Sequence, residues 1–428
     1  MTPSRYCLVF GVAAAGIAAA IAAFNYITDP YLVFDAPRTT GFNSLKPAVE
    51  TRERMMKAYQ AERISARTIV LGSSRTDLGI DPAAPGWPAT AKPVYNLSLV
   101  GTTAGDSLNY LRHHVASRSG AAPQMVVIGL DFESFLYRPD QSDAPTGEVD
   151  EVLQRLVVGP DGQPNEARRL RVLTDQALAL LSLDASFDSI RTIAGNRSGR
   201  VVNLKPDGGM SDTALRATAA ADGFALLFDQ KNVDTVKNYG RPRRLLSDTP
   251  VGPIRRMQAV TELLAFAKAH RINVVLAIQP AHVSRLELLD RMGYWSDYER
   301  WKRELTTLVA GASKDQDIAL WDFGGYEDPA QEPVPAKGTS AGMKWFWDPV
   351  HYSTALGARM VARMFDRESN DQYGVQLTPL NIDEQLARVR RDRNVFRAAQ
   401  PAETARLVKL ACGNEPCPDP VKPLTVSR

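Results

Sequence analysis

Short apolar runs alternate with amphipathic stretches along most of the chain. Aliphatic and β-branched runs at 68–71, 94–99, 124–131, 272–278 and 318–323 predict strands. Between them, 104–118 and 254–270 read as helices. In the second of these, Met257, Val260, Leu263, Leu264 and Ala267 recur at the 3.6-residue helical period. The run at 272–278 is almost continuously apolar, as expected of a strand buried on both faces. Strands that alternate with helices imply an α/β fold built on a parallel sheet. The interval 136–250 breaks the alternation with helical patterns at 148–158 and 166–183 and with Gly/Asp-rich loops. It reads as an insertion that caps one end of the sheet. Further helices are predicted at 48–66 and 383–399, the latter within a charged tail.

The amino-terminal pattern differs from all of this. From Cys7 to Phe24 the chain carries no charge, proline or strongly polar residue, and Tyr6 and Tyr26 flank the run. About 18 apolar residues reach the lower end of a membrane span, and aromatic residues favour its two interfaces. The run exceeds the apolar region of an ordinary cleaved leader and has no clear polar cleavage region, which favours a retained anchor. Arg5 and the free amine favour a cytoplasmic tail, leaving the rest of the chain outside. The expected divisions are an anchor at 1–27, a connector and helix at 28–62, an α/β domain at 63–370 containing the 136–250 insertion, and an extension at 371–428.

Composition adds limits. The 428 residues are 44% hydrophobic and 23% charged, an ordinary globular balance, and the net charge of +3 argues against a nucleic-acid partner. Arginine-rich stretches at 168–171, 241–244 and 388–393 lie near acidic residues and read as solvated helix faces. Of the three cysteines, Cys412 and Cys417 lie close together in the tail. In an oxidising compartment they are candidates for a small disulfide loop. No cofactor is implied, and the tail lacks the further ligands that a zinc site needs.

Candidate chemistry begins where the first predicted strand stops, at Gly72-Ser73-Ser74. Ligands of open parallel sheets bind beyond the carboxyl ends of the strands. A serine there needs a base to take its proton and a third group to orient that base. Of the five histidines, only His351 has an aspartate three residues earlier, in Asp348-Pro349-Val350-His351. That spacing can bring the carboxylate to Nδ1–H and leave Nε2 as acceptor. After the second strand comes Asn96-Leu97-Ser98-Leu99-Val100-Gly101-Thr102-Thr103. Gly101 there would let its amide approach a developing oxyanion. Ser73 reads as a turn or cap residue. His282 follows the fourth strand and could line a pocket. Trp347 could stack on a sugar or pack beneath the Asp348 loop.

Taken together, Gly-x-Ser after strand one, Asn-x-Ser-x-x-Gly-x-Thr after strand two and Asp-x-x-His near the end resemble the SGNH (GDSL-like) hydrolase superfamily. The resemblance covers about residues 64–370, apart from the insertion. It implies a flavodoxin-like sheet with Ser74 as nucleophile, His351 as base and Asp348 as its orienter, and with Gly101 and the Ser74 amide as oxyanion donors. An anchor followed by this domain is similar to membrane-bound relatives that modify envelope polymers, including the alginate O-acetylation and teichoic-acid D-alanylation proteins. That similarity implies a polysaccharide substrate and a membrane partner that exports acyl groups. It also implies a single-pass protein of the cytoplasmic membrane whose bulk is periplasmic. One departure stands out: Asp131 falls where the family's third motif has Asn. A carboxylate only accepts hydrogen bonds and would repel an oxyanion. Asp131 is either kept protonated by burial, paired with Arg75, or a mark of a non-catalytic relative; the Arg75 pairing is the expectation adopted.

Overall fold

The computed structural model describes residues 2–117, 122–140, 148–199, 201–314, 316–339, 341–366, 370–413 and 415–417. Along the chain run α1 (Pro3–Thr28), α2 (Val49–Ala61), β1 (Thr68–Leu71), α3 (Ser74–Gly79), β2 (Val94–Asn96), α4 (Ala104–Ser117) and β3 (Met125–Leu130). Next come α5 (Glu148–Leu153), α6 (Arg168–Leu181), α7 (Leu183–Ser198), α8 (Thr213–Asp222), α9 (Phe224–Tyr239), α10 (Met257–Ala269) and β4 (Asn273–Ile278). The order closes with α11 (Val283–Arg291), α12 (Trp295–Ala312), β5 (Ile318–Asp322), α13 (Thr354–Phe365), β6 (Val375–Gln376), α14 (Ile382–Ala399) and α15 (Pro401–Cys412).

The strands form one sheet in the order β2-β1-β3-β4-β5-β6. The first five pair in parallel, with Ile69 beside both Tyr95 and Val126, Val127 beside Val275, and Leu276 beside Leu320. This is the strand order of a doubly wound α/β sheet, with its switch between β1 and β3. The sheet is mixed rather than purely parallel, because β6 adds to its edge antiparallel to β5. Only two residues long, β6 carries too short a pattern to be legible in the sequence. Val70, Val127, Ala277 and Trp321 belong to a core with Leu356, Met360 and Val361 of α13. All four residues of β1 are buried, which accounts for the apolar run Ile69–Leu71, and the Thr68 hydroxyl is satisfied by the Ala91 carbonyl at 2.8 Å.

The described residues divide into two compact units. One draws on Met1–Ile64, Asn109–Ala121 and Pro145–Ala214, the other on Ser65–Leu108, Ala122–Ala144 and Leu215–Arg428. The 136–250 interval contributes to both units, and the described residues from 371 onward fall in the second. Long-range ion pairs tie those residues to the preceding helices. Arg390 of α14 pairs with Glu299 of α12, while Arg393 and Arg397 reach Asp290 and Glu287 of α11. The other arginine-rich stretches are also laced with carboxylates, as in Arg168–Glu62 at 2.6 Å and Arg243–Asp297 at 2.6 Å. Cys412 and Cys417 form a disulfide at the end of α15.

In the first unit the core joins Tyr31, Val33, Ala48, Met55, Tyr59, Ala179 and Ala185. Helix α1 is long and apolar enough to cross a membrane, and its apolar stretch is not buried against the rest of the described residues. Its last turn is fixed by polar contacts. Lys46 Nζ donates to the Thr28 and Asp29 carbonyls at 2.9 and 2.8 Å, and the Asp29 carboxylate accepts from the amides of Val33 and Ala36. Burial lowers the Lys46 ammonium to about 8, against the pull of Asp29.

Candidate active site

Strand β1 delivers the chain to Gly72, whose φ is +146°. A Cβ there would lie 2.3 Å from Thr76 Oγ1, so both conformation and space require glycine. Ser73 follows in an extended conformation and caps α3, its Oγ accepting from the Arg75 amide at 3.3 Å. Ser74 is thus the first residue of a short helix at the carboxyl end of the sheet, partly exposed.

His351 arrives from a tight loop that leads into α13. The loop is closed by Trp347 N–H donating to the His351 carbonyl at 2.9 Å and Ser353 N–H donating to the Trp345 carbonyl at 2.8 Å. From outside, the Glu332 carboxylate accepts from the amides of Lys344, Trp345 and Phe346. The His282 amide donates to the Pro349 carbonyl at 3.1 Å. Ser353 caps α13.

These two pieces of backbone meet. Ser74 Oγ lies 2.9 Å from His351 Nε2, and His351 Nδ1 lies 2.7 Å from Asp348 Oδ2. The other Asp348 oxygen accepts from the amides of Val350 and His351 at 2.7 and 2.8 Å. Burial opposes ionisation of Asp348, but the neighbouring imidazole and these amides hold its carboxyl well below the usual range. An ionised Asp348 accepts a hydrogen bond from Nδ1–H and so holds the proton on that nitrogen, which leaves Nε2 with a lone pair facing the serine hydroxyl.

What brings them together is a close crossing of α3 and α13. A Cβ on Gly357 would lie 1.8 Å from the Gly79 carbonyl oxygen, and one on Gly79 would lie 1.9 Å from the Tyr352 ring. Asn96 secures the far end of α3. Buried at the end of β2, its Nδ2 donates to the Ile80 carbonyl at 3.0 Å and more loosely to those of Thr76 and Asp77. It therefore steadies the helix that carries Ser74 and makes no hydrogen bond to Ser74 among the described residues.

Asp131 sits at the end of β3 and engages both neighbours of Ser74. One oxygen accepts from the Ser73 hydroxyl, and Arg75 Nη1 lies 3.1 Å from the other, as an ion pair without hydrogen-bond alignment. Arg75 Nη2 donates to Glu133 at 3.2 Å, and Glu133 accepts from Arg285 Nε at 2.6 Å. Arg285 in turn donates to the Thr235 hydroxyl. All of these side chains are buried. Burial opposes the charge on Glu133, but Arg285 and Arg75 hold its pKa down to about 2. Glu133 adjoins the sequence motif; Arg285 and Thr235 carry no sequence signal, since only the fold brings them near.

The remaining candidates separate. Gly101 lies in an exposed turn after β2 with φ +67°, and among the described residues its amide, like that of Ser74, has no protein acceptor. His282 does not face Ser74. It caps α11, with Nδ1 accepting from Ser284 N–H at 3.2 Å and Nε2 donating to the Glu332 carbonyl at 2.9 Å. Burial lowers its pKa to about 4. Trp347 offers no open face to a sugar: it is buried, stacked on Phe224, with the Arg216 guanidinium 5.0 Å from the ring centroid. His113 is a buried structural residue of the first unit, bonded to Ala58 and Val157. Among the described residues no cluster of three or more His, Cys, Asp or Glu is arranged to hold a metal. Comparison of the chain with protein-family models, with curated proteins and with solved structures finds no match.

Proposed function

We propose that this chain is an SGNH-type serine acyl esterase or O-acyltransferase with a flavodoxin-like catalytic unit, held at the cytoplasmic membrane by α1. The observation that carries the reading is the relay Ser74–His351–Asp348, at 2.9 and 2.7 Å. Two segments far apart in sequence converge there at the carboxyl end of a doubly wound sheet, where such folds act on ligands. The chemistry follows from the arrangement. His351 Nε2 removes the Ser74 proton as Oγ attacks an ester carbonyl, and Asp348 stabilises the imidazolium that results. The Ser74 and Gly101 amides are the donors assigned to the oxyanion. The imidazolium then protonates the departing alcohol and leaves an acyl-enzyme. Water or a polymer hydroxyl, deprotonated by the same nitrogen, resolves that intermediate. The acceptor favoured by the envelope location is a polysaccharide, with a membrane partner supplying acyl groups.

Asp131 favours a second reading, that of an SGNH-like binding or assembly protein without catalysis. A carboxylate there offers no hydrogen bond to an oxyanion. Fluorophosphonate labelling of the full chain in detergent separates the two. Covalent labelling that is abolished by Ser74→Ala and by His351→Ala is the expected result. An unlabelled wild-type chain, alongside a labelled control esterase, would favour the binding protein.

A further inference from the structure

Helices α6 and α7 are patterned inside out. On α6, Leu170, Leu173 and Leu181 are each more than half exposed, and on α7 so are Leu183, Phe187 and Ile190, reaching 76% at Leu183. The inward faces carry small or polar residues instead: Asp175 and Ala179 on α6, and Ala185, Ser189, Thr192 and Gly195 on α7. A helix in contact with water on its outer side has the reverse arrangement. Contiguous exposed apolar side chains of this number mark a surface that meets something apolar.

The contacts of α1 indicate what that is. Asn25, buried just beyond the apolar run of α1, donates from Nδ2 to the Leu180 carbonyl at 2.9 Å and to Ser186 Oγ at 3.1 Å, and it accepts from Ser189 Oγ at 2.8 Å. The turn at Ser182, between α6 and α7, is thereby fixed level with Asn25, one residue beyond the apolar run that ends at Phe24. Tyr26 and Ile27, the next two residues of α1, are half-exposed apolar side chains at the same level. With α1 spanning a bilayer, this level is where hydrocarbon gives way to headgroups. Asp184, exposed in the first turn of α7, sets the depth: a carboxylate is costly in hydrocarbon but tolerated at the interface.

We propose that the α6–α7 hairpin is a membrane-docking element whose apolar stripe lies in the headgroup–acyl boundary of the bilayer that α1 crosses. The proposal rests on the reading of α1 as a span. It gives the first unit two attachments, a crossing helix and an interfacial hairpin, so the unit cannot swivel freely about its anchor. The occupant is lipid, because the hairpin packs directly against α1, whose own apolar side chains are exposed.

The test uses the full chain with Cys7→Ser, so that a fluorophore sensitive to polarity labels one introduced thiol at a time. Leu183→Cys and Phe187→Cys report on the hairpin, Ile17→Cys on the span and Val251→Cys on water. Each variant is reconstituted in vesicles of mixed zwitterionic and anionic phospholipid, after circular dichroism matching the parent. The expected result is blue-shifted emission at positions 183 and 187, lost mostly to lipids with a nitroxide near the headgroup and little to aqueous iodide. The label at 17 should respond to nitroxides deep in the acyl chain. Iodide quenching at 183 and 187 with a normal response at 17 overturns the docking proposal and leaves the span intact. Protection from both quenchers at 183 and 187 also overturns it, because a protein then covers the face. Iodide quenching at 17 removes the span and the proposal together.

Discussion

Asp131 holds the residues on either side of Ser74, the Ser73 hydroxyl with one oxygen and the Arg75 guanidinium with the other. A carboxylate committed in this way fixes the turn that presents Ser74 and, on the proposed chemistry, is not left to face an oxyanion unpaired. Asn in its place can still accept from Ser73, and Arg75 keeps Glu133. Asp131→Asn is therefore expected to retain or raise the turnover of a small ester while lowering the melting temperature. Breaking a buried ion pair outright costs about 3–5 kcal/mol, and the remaining partner should make this loss smaller. Asp131→Ala, which also orphans the Ser73 hydroxyl, should lose both stability and activity. Complete loss of activity in a folded Asn variant would show that the carboxylate itself is needed. At this scale the sequence was informative where the chemistry is local. Asp348 and His351 share one loop, and Ser74 follows a strand that is apolar after its first residue. It was silent on Arg285, which reaches Glu133 across 152 residues of chain.

The elements matter through one crossing. Helix α3 begins with the serine, α13 begins three residues after the histidine, and the two touch backbone to backbone at Gly79 and Gly357. Gly357→Ala places a methyl group inside the Gly79 carbonyl contact and must push the helices apart. Overpacking of this kind typically costs about 1–3 kcal/mol. The expected outcome is a lower melting temperature together with slower fluorophosphonate labelling at Ser74, measured as a rate on the folded fraction. An unchanged labelling rate would mean that the crossing does not set the Ser74–His351 distance. The five parallel strands were legible because each is buried on both faces and so nearly continuous in apolar residues. Helices α11 and α12 were not foreseen. Polar residues such as Arg285, Glu287, Glu299 and Lys302 interrupt their patterns, and tertiary ion pairs are what allow those residues to be buried.

On the scale of the whole molecule, each unit contains a histidine locked in its neutral form. In the first unit His113 donates from Nε2 to the Ala58 carbonyl at 2.8 Å and accepts at Nδ1 from the Val157 amide at 2.9 Å. In the second, His282 donates from Nε2 to Glu332 and accepts at Nδ1 from Ser284. A second proton on either ring would break an accepted hydrogen bond and bury a charge. Burial accordingly lowers both to about 4. In the unfolded chain an imidazole titrates at about 6.5. Between those values the unfolded state binds protons that the folded state refuses, so stability is full above the upper value and falls as pH drops towards the lower. Each histidine should withdraw up to about 3 kcal/mol across that window. Glu133, lowered to about 2, adds a further loss only once the pH falls through the ordinary carboxylate range. Thermal unfolding followed from about pH 7.5 to about pH 5 should therefore show marked destabilisation before carboxylates begin to titrate. His282→Gln should start less stable at neutral pH and lose less on acidification, with the same behaviour for His113→Gln. A double variant that keeps the full acid slope would show that other groups carry it.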